Sequence, residues 1–90
     1  MRQLEFNLTA KVLAFPPSRR RSFVRKVAET IMQNNDDDAE RYWQAVVDGI
    51  AWPMLNAGVP RPIVEDQVRK FHDAVQQQIY LVEDRAGGAG

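Results

Sequence analysis

The sequence predicts an all-α protein: a three-helix, up-down-up bundle with an extended N-terminal arm and a disordered C-terminal tail. Three observations point there. Apolar residues recur at helical spacing in three blocks between residues 18 and 84. The links between those blocks are short, which favours antiparallel neighbours. The one strand-like alternation, Leu4, Phe6 and Leu8, has no second strand to pair with. The chain therefore divides into an arm (1–17), a helical domain (18–85) and a flexible tail (86–90).

Taking the elements in order, the arm ends in Lys11-Val12-Leu13-Ala14-Phe15, an apolar run stopped by Pro16-Pro17. It is expected to lie across the helices, to pair with another copy's arm, or to order on binding. Helix one, from Ser18 or Ser22 to Gln33, is predicted by the pairs Phe23/Val24, Val27/Ala28 and Ile31/Met32, spaced four residues apart along one stripe. Asn34-Asn35 ends it. Asp36, Asp37 and Asp38 then supply N-cap oxygens and negative charge that favours the positive end of helix two.

Helix two carries Ala39, Tyr42, Trp43, Val46, Val47, Ile50 and Met54 on one face and closes at Gly58. Pro53 falls inside this pattern, where its ring crowds the carbonyl of Gly49, so a kink or a break is expected there. Pro62 suits the first turn of helix three, and Glu65-Asp66 suit its dipole. Val64, Val68, Phe71, Val75, Ile79 and Val82 form its seam to about residue 84.

Ninety residues make one small domain with a modest core. With no cysteine in the chain, neither disulfides nor thiolate metal sites support it. No apolar run approaches the roughly 18 residues a membrane span requires, and no signal-peptide core follows Met1, so a soluble, cytoplasmic protein without membrane contact is expected. Formal charge cancels, but unevenly. Residues 1–30 carry Arg2, Lys11, Arg19, Arg20, Arg21, Arg25 and Lys26 against Glu5 and Glu29, net +5, and the remainder is net −5.

Chemistry-bearing groups are sparse. His72 is the single histidine, which excludes a multi-histidine metal centre and a conventional histidine relay within one chain. It sits at the margin of the helix-three seam, as a boundary residue or a pH-sensitive one. Asp36–Asp38 with Glu40 lack the ligand alternation and central glycine of a calcium loop, which leaves helix capping. No phosphate-binding loop or dinucleotide fingerprint occurs, and Ser18 and Ser22 lack a nucleophile's neighbours. No catalytic residue, cofactor or metal is predicted.

Contact surfaces are better represented. Arg19, Arg20 and Arg21 stand where a helix should begin, at the positive end of its dipole, with Arg25 one turn on. They are explained by internal counter-charges at Glu65 and Asp66, by simple solvation, or by an acidic partner. Trp52 lies nine helical steps from Trp43, on the opposite face of helix two. It either packs back through a bend at Pro53 or anchors an interface, where tryptophan is enriched. Tyr80 similarly faces away from the Phe71 seam. The leading expectation is a non-enzymatic protein-binding module, a regulator or inhibitor. The alternatives are phosphate-backbone binding to nucleic acid through Arg19 to Lys26 and a homo-oligomer paired through its arms or third-helix seams.

Several segments, Lys11-Val12-Leu13-Ala14-Phe15-Pro16 with Arg19-Arg20, Ala39-Glu40-Arg41-Tyr42-Trp43 with Val46-Val47, Ala57-Gly58-Val59-Pro60, and Phe71-His72-Asp73-Ala74-Val75-Gln76, together resemble a family of small alphaproteobacterial proteins labelled only as a domain of unknown function. The resemblance covers roughly residues 10–80. It implies an accessory gene of rhizobial genomes and mobile elements, with a regulatory or conflict role. This chain departs from that pattern at Ala10, where a cysteine is frequent, and at Pro53, where the family tends to continue its helix.

Overall fold

The computed structural model describes residues 14–88, with side chains through Asp84. A 3-10 turn, Pro17–Arg19, precedes three helices: α1 (Arg21–Gln33), α2 (Asp36–Asn56) and α3 (Arg61–Gly88). No strand occurs among the described residues. The three helices pack pairwise, and the 3-10 turn leans on α3 and α1. Most of the predicted arm falls on residues 1–13, which lie outside the described residues.

The helix boundaries follow from local chemistry. α1 begins later than the proline pair suggests, because Pro16 is extended (φ −68°, ψ 150°) and Pro17 opens the separate turn. Arg19 and Arg20 therefore precede α1, and Arg20 occupies its N-cap without a side-chain bond. The cap of α2 is Asn35 and not an aspartate: its Oδ1 accepts from the Asp38 amide at 3.0 Å, and Asp36–Asp38 fill the first turn, where their charge meets the dipole.

α2 continues through Pro53 to Asn56 without the expected break. The proline lies in the last turn, so the one amide it removes is lost close to the helix end. Beyond it, the Gly58 amide donates to the Leu55 carbonyl and the Val59 amide to that of Met54, with Gly58 at φ 89°. This is a Schellman closure with its apolar contact, since Met54 and Val59 are both buried in one cluster with Val64. Backbone helix in α3 persists to Gly88, past the expected end near residue 84.

The main core joins Val24, Val27 and Ala28 of α1 to Phe71 and Val75 of α3. Phe71 is its pillar: its ring lies 5.1 Å from Phe23 and stacks on Trp43 at 6.0 Å between centroids. Two residues depart from the predicted seams. Met32 is exposed, and Gln67, 2% exposed, occupies the α3 core position predicted for Val68, with its Oε1 lacking a partner. Of the predicted α3 seam, Val64, Phe71 and Val75 are buried and Ile79 packs against the core; Gln67 joins them, and Val68, half-buried, lines a surface groove. No helix among the described residues is long and apolar enough to cross a membrane.

Candidate functional site

Apolar side chains cover more of α2 than its neighbours can bury, and Met54 alone in this helix is fully buried. The surplus opens as grooves on both sides. Beside α2 lies a shallow groove whose one wall is Phe15, Pro17 and Arg20, ahead of α1, with Phe23 of α1, and whose α2 wall includes Ala45, Gly49 and Pro53. Ala45 and Gly49, one turn apart, form its low floor. A Cβ added at Gly49 would meet nothing within 4 Å, so the depression is open above the glycine.

Aromatic and cationic groups rim that floor. Phe15 is 77% exposed and Trp52 59% exposed. Seven residues separate Trp52 from Ala45, which places them only about 20° apart around α2. Trp52 therefore stands on the Ala45 side of α2, beside the groove and not in its lining, exposed on a helix that continues through Pro53. On the α1 side, the Arg20 guanidinium carbon sits 5.0 Å from the Phe23 ring centroid. That cation–π contact holds the charge at the groove's edge.

The predicted site residues are only partly brought together. Arg20 lines this groove, and Trp52 stands exposed outside its lining. Arg19, Arg21 and Arg25 are exposed beside it, in the turn and on α1. Tyr80, 69% exposed and next to the exposed Leu81, lies toward the opposite end of the bundle and is not part of it. The expected counter-charge at Asp66 is otherwise engaged: its carboxylate contacts Arg69 and bonds Lys70 at 2.9 Å, both on its own helix. The Lys70 hydrogen bond, outweighing slight desolvation and helped by the charges of Lys70 and Arg69, holds Asp66 below the ordinary aspartate range. Among the described residues Arg19, Arg20 and Arg21 make no ion pair.

Sequence reading missed Phe15, Phe23, Ala45 and Gly49. The available signal was the pair Ala45-x3-Gly49 on the same strip of helix as Trp52. His72 lies edge-on to Trp43 at 5.4 Å between rings, with Nδ1 3.6 Å from an Asp73 carboxylate oxygen, both side chains being exposed. Among the described residues, no three metal-capable side chains cluster.

A family model described as a family of unknown function, DUF6074, matches residues 8–90. No curated protein and no solved structure matches the chain.

Proposed function

Because the chain belongs to the DUF6074 family, whose function is unknown, we propose from this site that it is a non-enzymatic helical module that binds a protein partner as a small regulator or inhibitor. One observation carries the reading: exposed Phe15 and the Arg20–Phe23 pair line a groove with small residues Ala45 and Gly49, and exposed Trp52 stands on the adjoining strip of α2. Large aromatics and arginine around a depression are the usual anchors of interfaces. The occupant that fits is an amphipathic helix, with a bulky apolar side chain for the Ala45/Gly49 depression and a carboxylate for Arg20. The resemblance to accessory genes of mobile elements agrees with a regulatory role.

The test is affinity capture from the native host, identification of the bound protein, and titration with purified variants. Trp52→Ala should weaken binding by about 2 kcal/mol, roughly thirtyfold, while its melting temperature stays within the range of a surface change of about 0.5 kcal/mol. If Trp52→Ala and Phe15→Ala both bind at full affinity, the groove is not the site.

A second reading rests on the exposure of Arg19, Arg20, Arg21, Arg25 and Lys26. They would contact phosphates of a nucleic acid, with affinity falling log-linearly in salt. Absence of binding to duplex or single strands at low salt would remove it.

A further inference from the structure

The path by which the chain enters the bundle bears on what fills the groove beside α2. Pro16 is buried, and the 3-10 turn Pro17–Arg19 leans on α3 and α1. One residue before that proline, Phe15 lines the groove together with Ala45, Gly49 and Pro53 of α2 and is 77% exposed. The buried proline therefore fixes where the preceding chain leaves the bundle, which is on the α2 side and within the groove itself. Thirteen residues precede Ala14 in the sequence, and they lie outside the described residues.

We infer that residues 4–13 of this same chain occupy the groove, so that the protein covers its own partner site until a partner displaces the arm. Three observations select this occupant. The first is phase. Leu4, Leu8 and Val12 lie four residues apart, and Phe15 falls on the same stripe at helical spacing. The backbone at Ala14 is helical, so this spacing, and not the alternation of Leu4, Phe6 and Leu8, is the one that meets the groove. The second is length: Ala45 to Pro53 covers about 12 Å of α2, and Leu4 to Phe15 about 16 Å at the same helical rise. The third is lining, since Arg20 is the only charged side chain among the residues of the groove and the rest suit aliphatic cover. Tethering adds to all three. A segment joined at the groove's own wall meets it at an effective concentration of the order of 1 mM, so an intrinsic dissociation constant of about 0.1 mM keeps the groove roughly nine-tenths covered. Because the arm rests in the groove proposed above as the partner site, it makes that site self-regulated.

The chain has no cysteine, so a nitroxide can be placed on Asp48→Cys, exposed on α2 beside the groove, and its effect on the arm read by NMR in the full chain. Amides at positions 4–8 should be broadened, and their hydrogens should exchange about tenfold more slowly than those of an unstructured chain. Two variants remove the contact from opposite sides. Leu4→Asp with Leu8→Asp strips the arm of its apolar side chains, and Gly49→Phe fills the depression, where an added Cβ meets nothing within 4 Å. Each should abolish the broadening and restore fast exchange, and using both keeps the test open should one fail to fold. Broadening equal in the parent and both variants, or arm amides that exchange as in an unstructured chain, would overturn the inference. So would broadening carried between separate nitroxide-labelled and isotope-labelled molecules in a mixture, because the arm of a second copy would then fill the groove. None of these readouts needs a partner. An arm that stays out of the groove while Trp52→Ala still impairs capture leaves the partner site standing without its cover, so the two readings fail separately.

Discussion

The two grooves that flank α2 are built from the same helix, yet they differ in what they offer. The α1–α2 groove has a floor of Ala45 and Gly49 and a rim that includes Phe15 and Arg20, with exposed Trp52 beside it. The α2–α3 groove has walls of valine, leucine and tryptophan, with Arg61 and Glu65 at one end and Asp36 and Glu40 at the other. Small residues beside exposed aromatics leave the first groove open, whereas the half-buried aliphatic side chains of the second largely fill it. A helix with a wide apolar band can therefore stay open on one side and closed on the other when its neighbours cover it unequally.

The comparison breaks most completely if the shared support goes. Phe71 touches Phe23 beside one groove and Trp43 beside the other, so Phe71→Ala should cost about 3–5 kcal/mol and loosen both grooves, as thermal melting and amide hydrogen exchange would register. A destabilisation confined to one groove would show that Phe71 is not common to both. Gln67→Met acts in the opposite direction. Removing a buried, unpartnered Oε1 should stabilise the fold by about 1–2 kcal/mol, raising the melting temperature by several degrees without changing either groove. A fall in melting temperature would mean that the amide has a role packing cannot replace.

Asn35→Ala sharpens the contrast, because it loosens only the α2 end that carries Asp36 and Glu40. The loss of the bond to the Asp38 amide should cost about 1 kcal/mol, read as a lower melting temperature, while capture of a partner at the α1–α2 groove stays unchanged. The smallest effect concerns the start of α3. Asp66 titrates below its ordinary range, so its favourable contribution is complete above the unfolded value near ~3.9 and is lost as pH falls through the lower folded value. Titration of the Asp66 carboxyl by NMR should therefore show a midpoint below that of a free aspartate, and an unshifted midpoint would show the Lys70 bond to be unimportant in solution.

Much of this protein was legible in the chain. The stripe of Val24, Val27 and Ala28, the acidic first turn at Asp36–Asp38, the Gly58 closure and the Pro62 start are local signals, each settled within a turn of helix. Arg20 and Trp52 stood out in the sequence as contact candidates, but the groove that Arg20 lines did not. Phe15 and Phe23 were not, because an aromatic beside a proline pair or at the edge of a stripe carries no sign of whether it will be covered.

What the sequence by itself determined is the number of helices, the links between them and the apolar stripe of α1, because hydrogen-bonded turns and caps depend on neighbours a few residues away. Only the tertiary structure decided how each helix is turned about its own axis. That rotation put Gln67 in the core and left Val68 half-buried, left Trp52 exposed, and sent Asp66 to Lys70 and Arg69 instead of the arginines of the first turn. The physical reason is that a shift of some tens of degrees costs nothing locally. It is fixed by the summed packing of all three helices around Phe71.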